Sequence, residues 1–154
     1  MPSTPLLERH RESGATLAEY SGWEIPADYG DPPGEHRSAR EGAAAVDLSH
    51  RGQLRISGPD AAQFLQGMLS NRVEELQPGE GAYNTFLTRQ GKFVSDMHLY
   101  RREIDFAVDL PPGMASVFAE AIDMYIIMDQ VAIEDLTASR FAVGVFGPDS
   151  AKCL

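Results

Sequence analysis

The chain carries a single cysteine, Cys153, in 154 residues, so neither a disulfide framework nor a thiolate metal cage can be assembled from it. It has no excess of basic residues: 13 Lys and Arg against 23 Asp and Glu leave a formal net charge of −10. That balance argues against a nucleic acid or an anionic membrane surface as partner, since both are held by basic patches. A small anionic ligand stays open, because a few local Arg or Lys residues suffice for it. No apolar run approaches the ~20 residues that a bilayer span requires. Met1-Pro2-Ser3-Thr4-Pro5 has neither a basic n-region nor an apolar h-region, so no signal peptide is read and a cytoplasmic location is expected. The four histidines, His10, His36, His50 and His98, show no i, i+4 pairing and no HExxH pattern, so no metal site is expected. Gly79-Glu80-Gly81-Ala82 and Ser57-Gly58-Pro59-Asp60 are too short and too acidic for phosphate loops. Cys153 has no base near it in sequence, and adjacent side chains such as Ser49 and His50 diverge on a strand and make no dyad.

What is present is a hydrophobic share of 43%, enough for a packed core of one domain, or one and a fraction. The tripeptide Gly58-Pro59-Asp60 recurs as Gly147-Pro148-Asp149, each after a β-rich run (Gln53–Ser57, Phe141–Phe146). Gly turns the chain, Pro opens a helix and Asp supplies negative charge near its N-terminus. The first copy continues through a helix and about four further elements; the second runs about one turn. The expectation is a fold with an internal repeat, truncated at the start of its second unit.

Residues 5–20 read as a short helix, and 21–34, rich in Gly and Pro with Trp23 and Tyr29, as a long loop pinned by its aromatics. Residues 34–44 read as a charged helix and 45–57 as one or two strands. Ala61, Phe64, Leu65, Met68 and Leu69 follow the 3.6 period and predict a helix over 59–73. Gln77-Pro78-Gly79 is a turn. Strands are predicted at 82–88 and 92–101, joined by a hairpin at Arg89-Gln90-Gly91, and again at 104–110, 131–136 and 141–146. A second helix is predicted over 114–127. From Gln53 to Leu136 the order is β-α-β-β-β-α-β, an α+β sandwich of the split β-α-β, ferredoxin-like kind with helices on one sheet face. Three segments are expected: 1–52, a complete subdomain over 53–137, and a returning segment over 138–154.

Strand alternation puts Phe93, Met97 and Leu99 on one face and Val94, Asp96, His98 and Tyr100 on the other. A face bearing Asp, His and Tyr is either the solvent side of the sheet or the wall of a polar pocket. Hairpin pairing would bring Tyr83 level with Asp96 to His98, a grouping able to hold an amine or an amide edge like that of a pterin.

Several stretches in order resemble the amino-terminal half of the glycine-cleavage T-protein (aminomethyltransferase) superfamily. They are Thr4-Pro5-Leu6, Gly22-Trp23-Glu24-Ile25-Pro26, Tyr29-Gly30, Glu35 to Arg40, Val46-Asp47-Leu48-Ser49-His50, and Gly58 through Asn71. The resemblance implies a folate-binding region, tetrahydrofolate as cofactor, and Tyr83, Asp96, Arg51, Leu54 and Asp109 as its binding residues, with Asp96 the catalytic candidate. It also implies two adjacent aspartates on the strand after the hairpin, the first of them implicated in methylene transfer. Here the pair reads Ser95-Asp96. That departure is similar to the YgfZ-type branch of the superfamily. Folate-dependent iron–sulfur or one-carbon maintenance is therefore the first expectation. The alternatives are a true aminomethyl- or methyltransferase, or an inactive fragment acting as an oligomerising module that dimerises through an exposed sheet edge.

Overall fold

A computed structural model of the protein describes residues 1–153. The chain divides into two compact units, Met1–His50 together with the segment from Arg140 onward, and Arg51–Ser139. No helix among the described residues is long and apolar enough to cross a membrane.

The first unit begins with helix α1 (Leu7–Glu12), followed by strands β1 (Thr16–Tyr20) and β2 (Trp23–Asp28), helix α2 (Pro32–Glu41), strand β3 (Ala44–Asp47) and, late in the chain, strand β9 (Val143–Phe146). Residues 16–28 form an antiparallel hairpin rather than the end of a helix and a loop. Its two-residue turn is Ser21-Gly22, both at positive φ (51° and 81°). Paired positive-φ residues twist a turn in the sense that flanking strands require. Leu17, Tyr20, Trp23 and Ile25 around Ser-Gly are the hairpin signal that the Gly and Pro content of the segment hid. Helix α2 is closed at its start by Asp31, whose carboxylate accepts from the Gly34 N–H at 3.1 Å, with proline in its first turn. Strands β3 and β9 pair antiparallel.

The second unit runs β4 (Gly52–Ser57), α3 (Ala61–Met68), β5 (Gly81–Leu87), β6 (Phe93–Arg101), β7 (Asp105–Leu110), α4 (Met114–Asp123) and β8 (Ala132–Asp135). This is the β-α-β-β-β-α-β order expected from the sequence. The five strands form one sheet in the order β5-β6-β7-β4-β8. Leu54 and Ile56 of β4, Met97 and Leu99 of β6, and Val108 and Leu110 of β7 pack with Phe64 and Leu65 of α3 and Phe118 and Ile122 of α4. Burying one such side chain contributes about 1.5–3 kcal/mol. Both helices cover the same face, and the other face of the sheet carries the polar members of each strand.

One break in the alternation corrects the reading of β6. Phe86 pairs with Ser95 but Leu87 pairs with Phe93, leaving Val94 as the extra residue of a β-bulge. Phe93 is accordingly exposed rather than grouped with Met97 and Leu99. Val94 packs against the core and lines an apolar groove with Phe86, Ala121 and Tyr125. Helix α3 also ends earlier than its pattern suggests. Leu69 is already extended and bridges to Phe86.

The tripeptide repeat is a structural repeat. Gly58 and Gly147 sit at φ 124° and 117°, each directly after a strand and before a helical turn, α3 or the 3-10 turn Ser150–Lys152. A Cβ at Gly58 would run into the carbonyl oxygen of Gln130, and one at Gly147 into that of Gly42. In each copy the crowding carbonyl belongs to the segment entering the neighbouring antiparallel strand, β8 beside β4 and β3 beside β9. In both copies the Asp also bonds the neighbouring segment. The Asp60 carboxylate accepts from the Gln130 N–H at 2.7 Å, and the Asp149 N–H donates to the Gly42 carbonyl at 2.9 Å.

Candidate functional site

The helix-free face of the five-stranded sheet is a grid whose rows follow from strand register. Tyr83 on β5 lies opposite His98 on β6, His98 opposite Asp109 on β7, and Asp109 opposite Gln53 on β4. One step along, Tyr100 faces Ala107 and Ala107 faces Arg55. On the other side of the first row, Thr85 faces Asp96. Residues of the same parity on adjacent strands share a face, so Tyr83, Asp96, His98, Tyr100 and Asp109 are gathered by pairing alone.

The Tyr83 hydroxyl donates to Asp96 Oδ2 at 2.8 Å. That hydrogen bond, together with the carboxylate's charge, raises the phenol above its ordinary value, because ionisation would set two anions side by side. Tyr83 and Asp96 are therefore a neutral donor holding an acceptor-only carboxylate. The His98 ring lies 5.2 Å from the Tyr83 ring at 58° and 6.3 Å from the Tyr100 ring at 18°. The face is open, with Tyr83 52% and Tyr100 48% exposed.

Arg51, just before β4, donates from Nε to both carboxylate oxygens of Asp109, at 2.8 and 2.9 Å. The bond to Asp109 raises the guanidinium pKa further, with contributions from the charges of Asp96 and Tyr100. Arg51 and Asp109 are thus partners of each other, and a ligand would meet them as one dipolar unit. Gln53 completes the row, its Nε2 buried with no hydrogen-bond partner among the described residues. A second ion pair, Arg55 with Glu134, stands at the β4–β8 end of the face.

Of the residues singled out from the sequence, Tyr83, Asp96, Arg51 and Asp109 come together on this surface. Leu54 does not. Its side chain is 2% exposed and sits in the core beneath the helices. Ser95 also faces that side. It is 2% exposed, and its hydroxyl donates to the Asp96 carbonyl at 3.0 Å. A carboxylate in place of Ser95 would point into the apolar core, so the serine alters nothing on the polar face. His98 and Tyr100 share the strand parity of Asp96. They were legible from alternation but carried no motif of their own.

The first unit holds a separate polar cluster. Asp47 accepts from the Ser49 N–H at 2.8 Å, from the Ser49 and Thr4 hydroxyls, and from His10 Nε2 at 2.7 Å. Burial is the largest single influence on its carboxyl and opposes ionisation. The hydrogen bonds from Ser49, Thr4 and His10 together outweigh it and hold the pKa below the usual carboxylate value. The Tyr29 hydroxyl bonds His10 Nδ1 at 2.7 Å, and the Tyr29 N–H donates to Glu35. Burial, then the charges of Asp47 and Glu35, raise the Tyr29 phenol. A phenol kept neutral is a poor nucleophile, and both imidazole nitrogens of His10 are engaged. The arrangement ties residues 28–31 to the amino-terminal segment. Among the described residues no group of three or more His, Cys, Asp or Glu is placed to hold a metal ion.

Residues 6–154 match the family model described as "GCVT N-terminal domain". The chain is 32% identical to a probable aminomethyltransferase of Halobacterium salinarum over 154 residues, covering 96% of this chain and 42% of that protein. It is 39% identical to an aminomethyltransferase of Rubrobacter xylanophilus over 156 residues, covering 98% of this chain and 41% of that protein. The solved structure of glycine cleavage system aminomethyltransferase T from Bartonella henselae superimposes with a TM-score of 0.88 at 26% identity, over 97% of this chain and 42% of that one. The chain thus spans about two-fifths of the length of the relatives it matches.

Proposed function

The chain belongs to the GCVT N-terminal domain family, and on that premise we propose that the helix-free face of its five-stranded sheet is one wall of a tetrahydrofolate site used in aminomethyl transfer. The observation that carries the reading is the Tyr83–Asp96 pair, set beside the rings of His98 and Tyr100 on an open face. A pteridine is flat and carries N–H donors along one edge, so it needs rings to lie on and an acceptor-only group at the rim. This face offers both. When bound, tetrahydrofolate supplies the nitrogens that take up a one-carbon unit. Asp96 would accept from a ligand N–H and fix its orientation, and its lone pairs make it the chain's candidate proton acceptor. Tyr83 would hold the Asp96 carboxylate in place. The Arg51–Asp109 unit would face the ligand's polar substituents.

Aminomethyl transfer is preferred to the iron–sulfur maintenance expected from Ser95. The burial of Ser95 removes the reason for that expectation, and the named relatives are aminomethyltransferases. Contacting a flat ligand from one side, this chain by itself is expected to bind weakly. Calorimetric titration with 5-formyltetrahydrofolate, a stable reduced folate, tests the reading. Saturable heat is expected, weakened roughly 10- to 100-fold by Asp96→Ala, the loss of a charge-assisted hydrogen bond. No heat or competition at millimolar ligand would end it.

A further inference from the structure

Resting on the folate reading, we propose that His98 is a ligand-stacking residue: the middle plate of a three-ring strip, Tyr83–His98–Tyr100, on which the heteroaromatic head of the ligand lies. Three observations converge on it. His98 is exposed on this face, between β5 and β7, with Tyr83 and Asp109 as its cross-strand neighbours. Its ring is nearly parallel to that of Tyr100, at 18°, and flanked by that of Tyr83 at 5.2 Å. It follows Asp96 by two residues on the same strand face, so a ring resting on His98 has its edge within reach of the carboxylate.

The position rewards a flat side chain for a physical reason. Rings in offset or tilted arrangements 4.5–7 Å apart attract beyond their buried area. An open sheet face has no walls to confine a ligand, so rigid plates do the orienting. Imidazole adds polar edges that tolerate water when the face is empty. An aliphatic residue here would bury comparable area without fixing the ligand's plane. The charged and titratable groups around the ring are Tyr83 from β5, Asp96 and Tyr100 on its own strand, and Asp109 from β7 with its partner Arg51 just before β4. A role as a charge would make His98 answer to those groups; a role as a plate would not.

The test titrates the intact chain and its His98→Ala and His98→Phe variants with 5-formyltetrahydrofolate at one pH, with circular dichroism to confirm folding. His98→Ala is expected to bind about 3- to 10-fold more weakly, the range of one aromatic contact. His98→Phe keeps the plate without the nitrogens and is expected to stay within about twofold of wild type. Binding by His98→Ala equal to wild type would overturn the inference while leaving the folate reading intact. Equal weakening of both variants would also overturn it, by showing that the nitrogens matter and the plane does not. A wild-type chain that binds no folate removes the reading and this inference with it.

Discussion

Ser95 and Asp96 are consecutive in the chain and occupy opposite worlds: the serine hydroxyl is sealed beneath the helices, while the aspartate stands on the open face and accepts from Tyr83 at 2.8 Å. The relationship turns a substitution that looked chemical into a packing detail. It leaves Asp96 as the carboxylate that meets Tyr83 on the open face.

Because the Tyr83 phenol is raised by its bond to Asp96, it should ionise above the ordinary tyrosine range in an ultraviolet or NMR titration. Asp96→Asn removes the carboxylate charge, so the phenol should move back toward its usual value. Tyr83→Phe should weaken folate binding without shifting the thermal midpoint, since the side chain is half exposed. A Tyr83 that titrates identically in wild type and Asp96→Asn would show that the bond does not persist in solution.

Asp47→Asn should destabilise the protein by about 2–4 kcal/mol, measured by urea unfolding, because an amide cannot accept from all the donors gathered there. The pH dependence follows from the lowered carboxyl pKa. Its contribution is complete above the unfolded carboxyl pKa near ~4 and is lost as pH falls through the lower folded value. Wild type should therefore lose stability in acid more steeply than Asp47→Asn, and parallel curves would refute the assignment.

Leu54→Ala should cost about 2–5 kcal/mol of stability, the usual range for a truncated core leucine. Its folate affinity, corrected for the folded fraction, should match wild type. A binding defect in fully folded protein would restore Leu54 to the site.

Gly58→Ala should destabilise by roughly 2 kcal/mol or more, since φ is positive and the new methyl meets the Gln130 carbonyl. Gly67→Ala, in helix α3 with open space around it, should instead stabilise by about 0.5–1 kcal/mol. Thermal melts of the pair would separate a junction glycine from an incidental one.

Amphipathic periods in Phe64–Met68 and Val117–Ile122 and the hairpin at Arg89-Gln90-Gly91 made the order of the second unit readable, because period and turn chemistry are local. The Gly-Pro-Asp repeat was equally readable. Its use was not: Asp60 serves a backbone 70 residues away, a partner that no local rule names. The Ser21-Gly22 hairpin was missed although its turn is local, since Gly and Pro nearby read equally well as loop. The bulge at Val94 reversed two side chains, because one unpaired residue shifts strand parity by one and only the partner strand reveals it.

Taken alone, the order of residues determined which side chains are candidates and which of them share a strand parity: Asp96, His98 and Tyr100 on one edge of the pleat, Ser95 on the other. Tertiary structure decided what those parities mean. The two helices settle on one face, Leu54 and Ser95 go under them, and Arg51 is claimed by Asp109 from a strand more than 50 residues on. Alternation is a property of one strand, whereas the identity of the buried face belongs to the whole sheet and the elements that cover it.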